Sequence, residues 1–459
     1  MHLSVTSSIP TLSSKYVFKY PYHFCTKHIT FSTNSIYYLV KQLRAHFLFF
    51  FLLFAGQLMG GFSTPKPPPS HHGDILTILS IDGGGIKGIL PATVLDYLDK
   101  ALKAKDPNAD LAHYFDVIGG TSTGGLITAM LATASPDDPT RAAFTPAQIV
   151  DFYKENGPHV FNSSRPGNDP QFDGEYLHNL TREVLKDTRL SQTLTNIVIP
   201  TFDIKRQKPV IFSNYKVKNA PYLNTLLSDI CISTSAAPTQ LPPYYFVNDG
   251  VEFNMVDGGV AAANPTQASV SEALQHNEYL NILVVSLGTG TTIDSAGFDA
   301  RSVAFWPVQI WTAVALDMLS HASSCLAEFF LASLISGFQT LGFQTPGSTY
   351  LRIEEYNLNP DFSNGFDVSK ENMDGLEETG KQLLKENDVK MNLDTFDLEQ
   401  LGETNAQALD RIADILYGER QHRLKRKSME KGGRPFIQTP RVLSHKTQAN
   451  EAFQRNFFI

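Results

Sequence analysis

The sequence predicts an α/β fold, a mostly parallel central sheet with helices on both faces. Three observations carry that expectation. Ile75–Ile81 (ILTILSI) and residues 280–287 (LNILVVSL) are continuous apolar runs of strand length, the pattern of strands buried on both faces. Each ends in glycines, at Gly83-Gly84-Gly85 and at Gly288-Thr289-Gly290. Between them, residues 115–118 run through Gly119-Gly120-Thr121-Ser122-Thr123-Gly124-Gly125 into an apolar helical pattern from Leu126, so strand, tight turn and helix follow at once.

A length of 459 residues is enough for about three average domains. No linker interrupts residues 74–418, however, and one large α/β domain fits that stretch better. A leader, 1–73, precedes it and a basic, then polar, tail, 419–459, follows. Hydrophobic residues make up 42% of the chain, enough for a sizeable core and against disorder. The formal net charge of −8 argues against nucleic acid as a partner and against attraction to anionic membranes; an uncharged or zwitterionic lipid surface stays open. Cys25, Cys231 and Cys325 have the spacing of neither a disulfide framework nor a metal site, and no acidic loop has EF-hand spacing, so no metal is expected.

In the leader, residues 47–54 (FLFFFLLF) follow Lys41 and Arg44 and precede Ala55, Gly56, Gly60, Gly61 and Ser63. Basic, apolar, small is the order of a secretory signal, and the run is shorter than the ~20 residues a membrane span needs. That reading makes the protein secreted or vacuolar, and the sequons Asn162-Ser163-Ser164 and Asn179-Leu180-Thr181 agree with it. Translation from Met59 would instead delete the run and leave a cytoplasmic protein peripheral to membranes. It would expose Met59-Gly60-Gly61-Phe62-Ser63-Thr64, a myristoylation pattern. Residues 65–70 (PKPPPS) form an extended spacer into the domain.

The first strand ends in Asp82-Gly83-Gly84-Gly85-Ile86-Lys87-Gly88, and a helix follows with Leu90, Val94, Leu95, Leu98 and Leu102 on one stripe. Besides a plain tight turn, three readings compete for this loop. Gly83, Gly85 and Gly88 match G-x-G-x-x-G, but the next strand ends in Ile118-Gly119-Gly120, where a dinucleotide fold places a ribose-binding acid. A phosphate P-loop would need Gly-Lys-Ser/Thr, which does not follow. An oxyanion hole needs backbone N–H groups converging on one small anion with a helix dipole behind them, and consecutive glycines allow that.

Gly120, Ser122 and Gly124 fit G-x-S-x-G, the nucleophile elbow. A serine at the tip of a sharp strand-to-helix turn needs a strained backbone, and neighbours without Cβ let strand and helix close around it. The helix N-terminus behind it favours negative charge. A Gly/Ser-rich turn without chemistry is the rival reading.

Residues 129–190 read as helices and loops, with a helix starting at Pro146 after the N-cap candidate Thr145. Residues 194–204 and 209–213 read as strands, and 222–232 as an amphipathic helix entering Thr234-Ser235-Ala236-Ala237-Pro238. Residues 242–246 (PPYYF) read as an aromatic loop, either packed or forming the wall of an acyl pocket. Residues 253–259 (FNMVDGG) deliver Asp257 on a double-glycine turn before a helix at 266–275; such a carboxylate caps the turn unless a nucleophile waits for a base. Residues 305–336 read as a strongly apolar helix, part core and part cleft lining, and 350–353 as a late strand. Residues 367–387 and 404–417 read as charged surface helices, and the basic run 420–431 as a solvated helix end.

The ordered set Asp82-Gly83-Gly84-Gly85-Ile86-Lys87-Gly88, Gly120-Thr121-Ser122-Thr123-Gly124 and Asp257-Gly258-Gly259 resembles the patatin-like phospholipases, and the resemblance extends over about 74–418. It implies a three-layer sandwich related to the α/β-hydrolases and a lipid acyl hydrolase with a Ser–Asp dyad in place of a triad. Ser122 matches the nucleophile, Asp257 the base, and Gly83, Gly84 and Gly85 the oxyanion loop. Asp82, Lys87, Gly88, Gly120, Gly124, Gly258 and Gly259 complete the motifs, with Lys87 where the family carries Arg or Lys. The implied substrate is a glycerolipid or phospholipid at a membrane or micelle surface, with no cofactor and no metal. A storage protein of the same fold with incidental esterase activity is the alternative. A Ser…Asp…His triad would have to recruit His276 or His321, each in a helical pattern without a supporting motif.

Overall fold

The computed structural model describes residues 73–162, 170–277, 281–291, 299–340 and 349–431. The leader with its signal-like run, Cys25, the Met59 pattern, Ser163 and Ser164 of the first sequon, and the tail from 432 lie outside the described residues. The sheet contains β1 (Ile75–Ile81), β2 (Val117–Gly120), β3 (Asn196–Asp203), β4 (Lys208–Ser213), β5 (Tyr244–Asn248), β6 (Val251–Val256), β7 (Asn281–Leu287) and β8 (Thr349–Ile353). Its centre is the parallel set β3-β2-β1-β7-β8. Antiparallel β4, β5 and β6 gather at the β3 end. The helices longer than one turn are α1 (Ile89–Lys103), α2 (Thr123–Ala132), α3 (Pro146–Val160), α4 (Glu175–Leu185), α5 (Leu227–Ser235), α6 (Thr266–His276), α7 (Val308–Thr340), α8 (Lys370–Leu383) and α9 (Asn405–Lys431).

The two faces of β1 explain its unbroken apolar run. Leu79 and Ile81 pack with Leu95 and Leu98 of α1, Leu376 of α8 and Ile412 of α9. Leu76 and Ile78 pack on the other side with Val270 of α6 and Leu331 of α7. Helices therefore cover both faces, as an alternating-face burial pattern in a parallel sheet requires. The chain moves outward from β1 to β2 and β3, then returns to place β7 on the opposite side of β1. The direction of winding thus switches at the end of β1, which opens a crevice at the carboxyl ends of the strands.

One edge of β3 serves two strands in succession. β2 runs parallel to it, with Gly119 opposite Val198. β6 runs antiparallel on the same edge, with Val256 opposite Phe202. β4 fills the other edge. β2 and β6 therefore approach each other head-on, and the residues just past their ends meet opposite Pro200. A Cβ on Gly258 would lie 2.1 Å from the Pro200 carbonyl oxygen, so the approach requires glycine. That carbonyl points into the gap between β2 and β6, and in an extended strand the nitrogen of the same residue leaves on the same side. A proline is tolerated inside this strand because no ladder hydrogen bond is needed from it there.

One expectation changes, one is refined, and one stretch without an expected element gains one. The aromatic segment 242–246 enters a strand, β5, paired with β6. Residues 388–403, given no element in the sequence, form with Asn387 and Thr404 a hairpin of β9 (Asn387–Met391) and β10 (Leu398–Thr404); their Asn, Asp and Glu residues mask strand character. The basic run 420–431 is the end of α9, exposed at Leu424, Lys425, Lys427 and Ser428, but its start is anchored in the fold. Arg423 makes a two-pronged ion pair with Asp116 (2.6 and 2.8 Å) and donates to the Ile75 carbonyl (2.7 Å). Arg420 donates to the His113 carbonyl and lies over the Tyr114 ring. Asp116 also accepts from the Thr77 amide and hydroxyl, so one carboxylate joins the starts of β1 and β2 to the last helix. Replacing Arg423 by Ala should lower unfolding stability by about 2 kcal/mol, the scale of charged hydrogen bonds at a partly buried site. Denaturant titration with unchanged stability would show that the clamp does not hold the strands.

Candidate active site

Ser122 sits between β2 and α2 with φ 53° and ψ −121°, a backbone region that a non-glycine residue enters only under constraint. The constraint comes from one hydroxyl. The Ser122 amide donates to Thr234 Oγ1 (3.0 Å), and Thr234 Oγ1 donates to the Pro200 carbonyl (2.7 Å). Thr234, near the end of α5, thus pins the strained turn to β3. The turn closes so tightly that a Cβ on Gly124 would lie 2.1 Å from the Ile81 carbonyl oxygen, and one on Gly120 2.0 Å from that of Gly124.

Asp257 follows β6 and is only 5% exposed. Its amide donates to the Ala236 carbonyl (2.9 Å), and the Gly258 amide donates to the Thr234 carbonyl (3.2 Å), so the residues around Ser235 hold both the serine and the aspartate. Asp257 Oδ1 accepts the Gly259 amide (2.7 Å), and the Ser122 side chain is near enough to act on the pKa of the carboxylate as a second hydrogen-bonding neighbour. Burial pushes its pKa from the ordinary 3.8 up to about 6, against the opposing pull of those two hydrogen bonds.

The glycine loop adjoins the serine, and a Cβ on Gly83 would lie 3.2 Å from that of Ser122. Gly83 itself departs from the expected role, because its amide donates to the Ala263 carbonyl (3.0 Å) and is not free for an oxyanion. The Ser122 amide is likewise committed to Thr234. Among the described residues, no internal acceptor is found for the amides of Gly84, Gly85 and Thr123. The loop is tied down by Ile86 N–H to the Gly365 carbonyl (2.8 Å) and by Thr289 Oγ1 to the Gly83 carbonyl (2.8 Å). Lys87 donates from Nζ to the Gly290 carbonyl (3.1 Å), so it ties the loop to the turn after β7. Gly88 lies against the Thr123 side chain.

Beneath the loop, Arg352 of β8 is buried and faces three carboxylates: Asp82 (2.7 Å), Glu354 (2.7 Å) and Glu328 (3.1 Å). It also donates to Ser286 Oγ (2.9 Å). Burial pushes Asp82 up to about 6 and Glu354 up to about 7, with Arg352 pulling both down. The cluster links β1, β7, α7 and β8 directly under Gly83. Sequence reasoning passed over it, and the signal was an arginine inside the apolar strand TYLRI.

The cleft at Ser122 is apolar. Leu126 of α2, Phe152, Tyr153 and Val160 of α3, Phe161 and Phe366 form its main walls. Tyr153 is fixed by hydroxyl contact with Thr123 and by donating to the Thr123 carbonyl (3.0 Å). The walls from Phe152 to Phe161 come from a region the sequence marked only as helices and loops. The PPYYF segment is elsewhere: Phe246 stacks on Phe253 with centroids 4.6 Å apart, and the Tyr244 hydroxyl donates to Asp229 (2.6 Å). Neither histidine joins the serine. His276 stacks on Tyr215 and contacts the Glu272 carbonyl, and His321 contacts Cys325.

A family model described as "Patatin-like phospholipase" matches residues 79–270, a stretch that contains the glycine loop, Ser122 and Asp257. "Patatin-like protein 2" of Arabidopsis thaliana is 41% identical over 398 residues, 78% of this chain and 96% of that protein. "Patatin-17" of Solanum cardiophyllum is 40% identical, over 78% of this chain and 93% of its own length. "Patatin-07" of Solanum tuberosum is 41% identical, over 77% and 93%. With identity at this level across nearly the whole of each relative, the chain belongs to the patatin-like phospholipase family.

Proposed function

We propose that this protein is a lipid acyl hydrolase that cleaves fatty-acyl esters of glycerolipids, phospholipids among them, with Ser122 as nucleophile and Asp257 as its base. One observation carries the proposal: a serine at a strained turn, beside a buried carboxylate whose pKa its side chain lowers, lines an apolar cleft. Membership of the phospholipase family supports the same reading.

In this mechanism Asp257 takes the Ser122 proton as Oγ attacks the ester carbonyl carbon. The carbonyl oxygen becomes an oxyanion facing the amides of Gly84, Gly85 and Thr123, with the N-terminus of α2 behind Thr123. The tetrahedral intermediate collapses, the C–O bond to the alcohol breaks, and the alcohol leaves with the proton from Asp257. Water then gives a proton to Asp257 and attacks the acyl-enzyme, and the acid is released as Ser122 recovers its proton. A carboxylate is a weak base, and burial of Asp257 narrows the pKa gap to the hydroxyl it must deprotonate. The apolar walls take the acyl chain.

Ser122→Ala should abolish labelling by a fluorophosphonate probe and lower ester turnover at least about 10³-fold. Labelling that survives the substitution would place the nucleophile elsewhere. Because Asp257 works ionised, kcat/KM should fall as pH drops through about 6, and a flat profile down to the ordinary 3.8 would contradict the buried base.

Asp257→Asn has a second readout. A carboxyl whose folded pKa is raised gives a stability contribution that is complete below the unfolded value and is lost as pH rises through the folded value. Near neutral pH the wild type therefore carries an unfavourable buried charge, and the Asn variant should be inactive yet more stable by about 1–3 kcal/mol at about pH 8. The gain should shrink towards acid pH. A variant less stable than wild type at neutral pH would show that the carboxylate is held by attraction and not against desolvation.

A further inference from the structure

The longest helix breaks the usual pattern of a surface helix. The second half of α7 packs on the sheet, where Ala327, Leu331 and Ile335 are buried and Glu328 pairs with Arg352. The first half is exposed, and its outward face is apolar. Val308, Trp311, Met318, Ala322 and Leu326 fall at helical spacing on that face, and all are exposed. Met318 is 56% exposed, its neighbour Leu319 60%, and Phe305, just before the helix, 95%. From Ser302 to Ala327 the chain has no lysine or arginine and one acidic residue, Asp317. The chain's two tryptophans, Trp306 and Trp311, both lie in this stretch, with ring centroids 5.5 Å apart.

By length and composition Met318–Ser336 could cross a membrane. Its second half is fixed to the sheet through Leu331, Ile335 and the Glu328–Arg352 pair, so the helix can lie against a bilayer but not pass through it. α7 packs on the Gly259–Ala262 turn, which begins two residues after Asp257, and Val260 on that turn is 51% exposed.

We infer that the first half of α7, with Phe305 and Val260, is the surface that seats the protein on an uncharged or zwitterionic lipid bilayer. The inference rests on the hydrolase reading and adds the route by which the ester reaches Ser122. An apolar helix face rimmed by tryptophan partitions into the boundary between headgroups and acyl chains. The absence of basic residues across the face, in a chain of net charge −8, gives anionic headgroups nothing to attract. Lipid fits this face better than a protein partner because the face is apolar, carries both tryptophans and lacks basic residues, on a helix that also packs on the Gly259–Ala262 turn just after Asp257.

The test uses the full chain carrying Ser122→Ala, which does not degrade the vesicles, with phosphatidylcholine vesicles as the probe. Since both tryptophans lie in this segment, fluorescence excited selectively at tryptophan reports on this surface. The expected result is a blue shift with co-sedimentation, unchanged between low and high salt. Met318→Glu combined with Leu319→Glu should weaken vesicle partition at least about tenfold. In the chain with Ser122 intact, the same pair should lower vesicle hydrolysis by a similar factor and leave turnover of a soluble short-chain ester within about twofold. The leader is common to every chain compared, so its own affinity cancels. An absent spectral shift, equal partition of the double variant, or a dimer that the substitutions disperse would each overturn the inference, the last by assigning the face to a second copy. Absence of soluble-ester turnover in the unsubstituted chain would sink the hydrolase reading and leave the vesicle result standing separately.

Discussion

The geometry of the site depends on two strands that meet end to end along one edge of β3. β2 delivers Ser122 from one direction and β6 delivers Asp257 from the other, and the gap between them is bridged at the Pro200 carbonyl. Thr234 occupies that gap. Its hydroxyl accepts the Ser122 amide and donates to Pro200, and its own carbonyl accepts the Gly258 amide. The separation between hydroxyl and carboxylate is therefore set by strand register, which is rigid, and by one threonine. Neither partner depends on a loop free to find its place.

The arrangement concentrates unfavourable terms in a small volume. Ser122 has a strained backbone, Asp257 must carry charge while buried, and Arg352 faces three carboxylates at once. Each is tolerated because the surrounding structure leaves no easier alternative. The hydrophobic clusters on both faces of β1 and the Arg423–Asp116 clamp at the opposite end of the strands supply that stiffness. The Arg352 cluster lies between the core and the glycine loop, and it fixes Asp82 next to Gly83, the loop residue that lies against Ser122.

The parts legible in the sequence are those where one residue type answers to one local demand. The apolar runs of β1 and β7 gave the parallel sheet, and G-x-S-x-G gave the turn, because steric limits act within a few residues. Asp257 became readable beside Ser122 only through the resemblance to a family. Gly83 as an oxyanion donor was misread, since the partner that occupies its amide, Ala263, lies far along the chain. Arg352, Thr234 and the α3 walls were passed over for the same reason: their roles come from distant contacts and leave only a faint local trace. β5 reads as a loop and the β9–β10 hairpin leaves no local signal because pairing and cross-strand stacking, such as Phe246 on Phe253, override weak local preference.

The proposed hydrolase and the proposed lipid-facing helix face share one premise, a covalent acyl intermediate on Ser122. The most direct measurement is acid quenching of the chain during turnover of a slowly deacylating ester, followed by peptide mass analysis. The account requires the added acyl mass on the peptide that carries Ser122, and its loss in Ser122→Ala. Turnover with that peptide unmodified, or with the acyl group on another residue, would contradict it.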